Sequence, residues 1–344
     1  MDSSNIELRE EEEEEELENS YSQVGLEPGE QFQVRYSVQE ELGKGRYGVV
    51  HKVKDQQSGI IAAAKFVRCV KKQDRVKVQE EINIMNNLRH PKLLQLIAAF
   101  ENPKDIIMIM EYISGGELFE RVVAEDFMLT EQDCVLFMRQ ICQGVSYMHN
   151  NCIVHLDLKP ENIMCHKSSS HKIKIVDFGL ARRLQTNIPL RVLYGTPEFV
   201  PPEIINYDPI GVTSDMWSVG VICYVLLSGL SPFMGDTDAE TFVNITRVDY
   251  DFDDEMFNTI SEDAKEFISS LLVKKKEERL TADECLRHSW LTHCDMTVGC
   301  VKLSTDKLKK FIIRRKWQKT KNAIVAVGRM TTLSETGCHS SDSS

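Results

Sequence analysis

Three glycines in a fixed pattern, Gly43-Lys44-Gly45-Arg46-Tyr47-Gly48-Val49-Val50, leave a backbone without β-carbons where phosphate oxygens would have to approach it. Alone, the run is a weak sign of nucleotide binding. A dinucleotide site would want the third glycine to open a helix and an acid about twenty residues after the first. Position 63 is Ala and the region reads as strand, so that alternative fails. Further on, Ala62-Ala63-Ala64-Lys65 puts a lysine on this strand, which by itself would be an ordinary strand end. There follow, in order, His155-Leu156-Asp157-Leu158-Lys159-Pro160-Glu161-Asn162, Asp177-Phe178-Gly179, Gly195-Thr196-Pro197-Glu198, Pro202-Glu203 and Asp215-Met216-Trp217. Asp and Asn are common turn formers, but turns do not account for the ordered series. A lysine, carboxylates and an amide downstream of a glycine flap are the groups needed to steer a nucleotide's terminal phosphate.

Two kinds of element must position them. From Phe32 to Val67 short apolar runs broken by Gly43, Gly45, Gly48 and a Ser58-Gly59 turn predict an antiparallel sheet. Val78, Ile82, Met85 and Leu88 then recur at helical spacing, His90-Pro91 ends that helix, and two strand-like runs follow, Leu93–Phe100 and Ile106–Tyr112. After Ser114-Gly115-Gly116 the pattern becomes helical, with candidates at Cys134–His149, Ser214–Leu230, Thr237–Thr246, Ala264–Leu272 and Ala282–His288. The expected division is an acidic disordered tail at 1–31, a small lobe at 32–113, a larger helical lobe at 114–291, a basic segment at 292–330 and a Ser/Thr-rich disordered tail at 331–344.

Charge is very uneven. Residues 1–31 carry twelve acids and one base, whereas residues 307–330 carry nine bases and no acid, in a chain of net charge −12. An acidic body fits a basic peptide partner and argues against nucleic acid. The N-terminus is acidic where a secretory signal would be basic and then apolar, so export is not expected. The apolar stretch Met216–Leu230 is too short and too polar to span about 30 Å of hydrocarbon, and reads as a buried core helix. Ten scattered cysteines without a CxxC pair suit a reducing, cytoplasmic setting.

Residues 36–291 resemble the catalytic domain of eukaryotic protein kinases throughout, which implies an α+β fold of two lobes and an ATP- and Mg²⁺-dependent phosphotransferase. In such a reaction a loose transition state needs in-line positioning and charge neutralisation more than covalent help. By this resemblance Lys65 holds the α- and β-phosphates. Glu81 aims it, chosen over Glu80 because Met85, one turn on, then points into the core. Asp177 and Asn162 are magnesium ligands, Asp157 orients the attacking hydroxyl and accepts its proton, and Lys159 reaches the transferring phosphate. Leu42, Gly43, Gly45, Gly48, Val50, Ala63 and Met164 would enclose the nucleotide. Met110 resembles the gatekeeper, Glu111 and Ile113 the hinge that pairs with adenine, and Glu117 the ribose contact. His155, Phe178, Gly179, Glu203, Asp215 and Arg279 resemble structural residues of the family.

Lys159-Pro160 together with Gly195-Thr196-Pro197-Glu198 resembles serine/threonine kinases. Position 156 is Leu where many kinases have the Arg that grips an activation-loop phosphate, so control is expected from elsewhere. Ser114–Arg121, His155–Cys165 and Ser228–Asp236 are similar to the myosin light chain kinases, smooth-muscle type included. So is Arg314–Met330, which resembles their calmodulin-binding element. Trp317 and Ile324 lie seven residues apart, nearly on one helical face, while Met330 is about 20 Å along and roughly 140° around from Trp317. Two anchors on different sides, with Val327 between and Arg314, Arg315 and Lys316 flanking, suit a partner with two lobes and an acidic, Met-lined groove. The resemblance implies calmodulin as partner, calcium acting through it, myosin regulatory light chain as substrate, and a monomer in the cytoplasm or on the cytoskeleton. A death-associated or general calmodulin-dependent kinase, and a silent scaffold of the same shape, stand as the rival readings. In the off-state Lys307–Lys316 is expected to lie, like a basic substrate, against Glu117, Glu120 and Glu161.

Overall fold

Alternation along a strand decides which face each side chain meets, and in the smaller lobe both faces are used. A computed structural model describes residues 23–45, 48–167, 170–292 and 301–318. Its first part comprises β1 (Leu26–Pro28), α1 (Gly29–Arg35), β2 (Tyr36–Gly45), β3 (Gly48–Asp55), β4 (Ile61–Arg68), α2 (Lys72–Asn86), β5 (Leu96–Glu101) and β6 (Asp105–Glu111). The six strands form one sheet in the order β1-β5-β6-β4-β3-β2. Ala62 and Ala64 turn to an outer cluster with Phe32, Val53, Phe100, Ile107 and Ile109. The opposite face packs on α2, whose Val78, Ile82 and Met85 are buried at helical spacing.

Order reaches closer to the N-terminus than the expected boundary at 31. β1 pairs parallel to β5, matching Leu26 with Ala99 and Pro28 with Glu101, so the sheet is not purely antiparallel. Phe32 sits on a helix and not on a strand. The acidic run at 10–16 dominates the composition of the whole N-terminal window and hides the apolar anchors that follow it. Phe32 is 5% exposed and lies with its ring 5.6–5.9 Å from those of Tyr36, Phe66 and Phe100.

The larger lobe carries α3 (Leu118–Val122), α4 (Glu131–Asn150), β7 (Ile153–Val154), β8 (Ile163–Cys165), β9 (Ile173–Ile175), β10 (Arg182–Arg183), α5 (Pro202–Ile205), α6 (Thr213–Ser228), α7 (Asp238–Arg247), α8 (Glu262–Leu271), α9 (Ala282–Cys285) and α10 (Ser289–Thr292). Thr130 and Asp133 close a reciprocal capping box that starts α4. α6 is buried all round, from Ser214 to Ser228, as a helix without a polar face must be. Among the described residues no helix is long and apolar enough to cross a membrane. Residues 306–318 form a further helix, α11, whose Leu308 and Phe311 join the core of the larger lobe.

Candidate active site

Register places the upper half of the cleft. Ala63 faces Met110 across β4–β6, and Lys65 faces Met108 there and Val50 across β3–β4. Cross-strand partners share a face, so Val50, Ala63, Lys65 and Met110 stand together on the side turned to the larger lobe. Lys65 Nζ donates to Glu81 Oε1 at 2.7 Å, and Glu81 is buried on α2. Gly48 owes its type to packing: a β-carbon there would fall 2.0 Å from the Phe66 carbonyl oxygen. Around Gly43 there is open space, and Leu42 beside it is exposed. Arg46 and Tyr47 lie outside the described residues.

The floor comes from the β8–β9 hairpin. Met164 pairs with Lys174, and its backbone bridges to Glu117. Lys174 Nζ reaches Glu111 Oε1 at 2.8 Å, tying the end of β6 to the floor from behind. Ile113 packs on the main core.

The loop between β7 and β8 is held from below. Asp215, buried at the start of α6, accepts from the main-chain N–H of His155 at 2.8 Å and of Leu156 at 2.9 Å, and meets His149 Nε2 at 2.9 Å. Burial alone would raise the pKa of this carboxyl; the hydrogen bond and charge of His149, with the His155 main chain, outweigh it and hold the value below the ordinary range. These bonds pin Leu156 at φ 65°, a left-handed conformation that costs a leucine about 1–3 kcal/mol. His155 Nε2 meets the Val176 carbonyl oxygen at 3.1 Å, and its ring stands 5.4 Å from that of Phe178. The pinned loop leads directly into Asp157, whose side chain is largely buried. Its Oδ1 accepts from Thr196 Oγ1 at 3.1 Å, and its Oδ2 from Lys159 Nζ. Asn162 Nδ2 donates to the Asp157 carbonyl oxygen at 2.8 Å, reserving Oδ1 as a hard oxygen donor. Asp177 Oδ1 lies 3.8 Å from Lys65 Nζ, and Gly179 N–H donates to the same oxygen at 3.4 Å.

A lysine paired with a buried acid and close to a second, exposed carboxylate, and a further carboxylate held by a second lysine and an amide, therefore border one cleft. Among the described residues no three His, Cys, Asp or Glu gather to hold a metal by themselves. Magnesium does not need such a cluster, because it keeps several waters and binds through one or two carboxylates plus substrate phosphates. Glu203 and Arg279 lie well below the cleft as a buried bidentate pair, 2.8 and 2.9 Å, with the guanidinium 5.1 Å from the Trp217 ring.

Residues 36–291 match the model of the protein kinase domain. The chain belongs to the protein kinase family. Myosin light chain kinase, smooth muscle, from Gallus gallus is 50% identical over 333 residues, covering 95% of this chain and 18% of that protein. Myosin light chain kinase 3 from Rattus norvegicus is 50% identical over 297 residues, covering 86% and 38%. The kinase thus spans less than half the length of either relative. Among solved structures, the twitchin kinase region from C. elegans superposes with a TM-score of 0.82 at 42% identity, covering 88% of this chain and 54% of that one. The autoinhibited serine kinase domain of titin superposes at 0.77 and 38% identity, covering 81% and 87%.

The mouth of the kinase's cleft is occupied by its own chain. Leu303 N–H donates to the Leu129 carbonyl at 2.9 Å, and α11 then runs along the larger lobe. Lys307 pairs with Asp254 at 2.5 Å, Arg314 with Glu198 at 2.7 Å and Lys316 with Glu120 at 2.5 Å. Arg315 lies deepest. It is 8% exposed, reaches Glu161 at 2.7 Å and Glu198 at 3.2 Å, and stands 5.0 Å from the Phe199 ring and 5.7 Å from that of Phe311. The hydrogen bond to Glu120 raises the pKa of Lys316, a shift to which the charge of Glu117 adds, and Lys307 lowers that of Asp254. Glu117, Glu120 and Glu161 are thus beside the basic segment as expected. Sequence reasoning missed Asp254 and the role of Glu198, and also Gly229, where a β-carbon would fall 2.3 Å from Leu308 N. Asp254 had a signal, the acidic run Asp251–Glu255; nothing local marked Gly229 as a docking point. Trp317 is 72% exposed at the described end of α11. Ile324, Val327 and Met330 lie outside the described residues.

Proposed function

We propose that this chain is an ATP- and Mg²⁺-dependent serine/threonine protein kinase held off by residues 301–318, switched on by calcium–calmodulin, and acting on myosin regulatory light chain. The observation that carries the reading is the shared cleft of Lys65, Glu81, Asp157, Lys159, Asn162 and Asp177 with Arg315 clamped at its mouth. Lys65, aimed by Glu81, holds the α- and β-phosphates, and Val50, Ala63 and Met164 sandwich the adenine while Glu111 and Ile113 bond its edge. Asp177 and Asn162 would hold magnesium, which when bound neutralises charge on the phosphate oxygens. Asp157 orients the acceptor hydroxyl and takes its proton; Lys159, fixed by Asp157 and Thr196, follows the transferring phosphate. Glu117, Glu120, Glu161 and Glu198 receive the basic residues of a substrate once α11 has left.

Arg314, Arg315 and Lys316 are engaged by the kinase's acids in the closed form and belong to the segment that resembles a calmodulin target, so both occupants cannot hold them together. Inverting a 99:1 closed population takes about 5.5 kcal/mol of differential binding, within reach of a nanomolar ligand of the released segment, worth about 12.3 kcal/mol. The names of the 50%-identical relatives support myosin light chain as substrate. The test has two parts. Asp177→Ala should abolish transfer from ATP, and retention of activity would overturn the assignment. With calmodulin saturating, the chain should phosphorylate purified regulatory light chain at a higher initial rate than a generic basic peptide; the reverse order would mean another substrate.

A further inference from the structure

Residues 23–35 precede the stretch that matches the kinase family, which starts at 36, yet they are built into the smaller lobe. Their main chain is gripped by one side chain of α2. Val24 N–H donates to Asn86 Oδ1 at 2.9 Å, and Asn86 Nδ2 donates to the Val24 carbonyl at 2.8 Å, so the amide imitates a strand partner. Arg89 steadies that amide, donating to Asn86 Oδ1 at 3.3 Å and to the Leu96 carbonyl at 3.1 Å. Asn86 is the last residue of α2 and lies on the same rigid rod as Glu81, about 7.5 Å along it. The other end of the helix is tied to the same segment indirectly. Arg75 donates to the Asn102 carbonyl at 2.5 Å and to Glu101, the residue with which Pro28 pairs. Phe32 meanwhile stands edge-on to Phe66, 5.6 Å away, and Phe66 is the neighbour of Lys65 on β4. One segment therefore touches, from behind, both elements that bring Lys65 and Glu81 together.

We propose that residues 23–36 act as a strap that holds α2 in its catalytic position, with Asn86 the positioning residue through which the strap acts on Glu81. This rests on the reading of Lys65–Glu81 as the pair that positions the nucleotide. An isolated helix on a six-stranded sheet can swing as a body, and the strap resists that motion because it is bonded to the helix end and to the sheet at once. The residue types follow. An amide at 86 both accepts and donates, which a carboxylate cannot do, and the backbone at 24 must supply an N–H, which proline lacks.

The test uses the full chain with calcium–calmodulin in excess, measuring phosphate transfer to a basic peptide and hydrogen exchange of the α2 amides. Val24→Pro removes one bond and Asn86→Ala both, so α2 exchange should quicken by about fivefold and about twenty-five-fold respectively. kcat should fall in the same order with KM for the peptide unchanged, while α4 and α6 exchange at the wild-type rate. Asn86→Asp, which keeps the acceptor and loses the donor, should rank with Val24→Pro. If Asn86→Ala does not fold, the other two variants decide. Wild-type α2 exchange in the variants, an unchanged kcat, or quickened exchange spread equally over α4 and α6 would each overturn the strap. A wild-type chain that transfers no phosphate would instead defeat the catalytic reading, and α2 exchange would still decide the mechanical tie.

Discussion

Arg315→Ala removes the most deeply held base of α11 and leaves Glu161 and Glu198 facing the Phe311 and Phe199 rings. Truncating one partner of a buried ion pair costs about 3–5 kcal/mol. Arg314 still serves Glu198, so the lower figure applies. The cost falls on the closed form alone, because both carboxylates regain water when α11 leaves. Equalising a 99:1 closed population takes roughly 2.7 kcal/mol, so the variant should hold more than half its molecules open without calcium. Lys316→Ala is the matched control. Its side chain is 60% exposed, and an exposed pair is worth at most about 1 kcal/mol, which would open only about one molecule in twenty. The assay is the initial rate on a basic peptide in chelator, as a fraction of the rate with calcium–calmodulin. Equal calcium-independent rates for Arg315→Ala and Lys316→Ala would refute the reasoning that burial of Arg315, and not charge count, keeps the kinase closed.

Other outcomes follow from the same geometry. Gly229→Ala, at φ 72° and with Leu308 backbone in its way, should raise calcium-independent activity while leaving the calmodulin-saturated rate near wild type. Arg279→Ala should lower unfolding stability by about 3–5 kcal/mol in denaturant titration, since it strands Glu203 inside the larger lobe. Asp215 has a folded pKa below its ordinary 3.8, so its contribution to stability is present above that pH and is lost as pH falls through the lower folded value. The stability gap between wild type and Asp215→Asn should therefore be constant from about pH 5 to 8 and narrow below about pH 4.

The parts of the site that share a short stretch of chain were readable from it. Choosing Glu81 over Glu80 needed only the helical period and the position of Met85, and Lys65 turns to Glu81 as that period requires. Asp157, Lys159 and Asn162 hold one another within six residues. Contacts that close over long separations left no such trace. Arg314 meets Glu198 across 116 residues and Lys307 meets Asp254 across 53. No local pattern tells which of many acids a basic helix will find. β1 was hidden for a different reason: its pairing partner β5 lies some seventy residues on, and the acidic run before it sets the average of the window.

Leu156 shows how the fold answers a departure that the sequence announces. Position 156 offers no arginine to grip a phosphate on the activation segment, and the structure puts an apolar contact there. Leu156 packs with Val154, Val192, Val200, Ile204 and Ile210, and Leu190 and Tyr194 lean on the same cluster. Dispersion and burial need no phosphate, so the segment that carries Thr196 is held against Asp157 without one. A site assembled in this way needs a separate device to keep it silent, and α11 provides one by filling the acids at the cleft mouth with bases from the same chain. Control thus moves from making the site to uncovering it, and the strength of the Arg315 contacts sets how much binding energy an activator must bring.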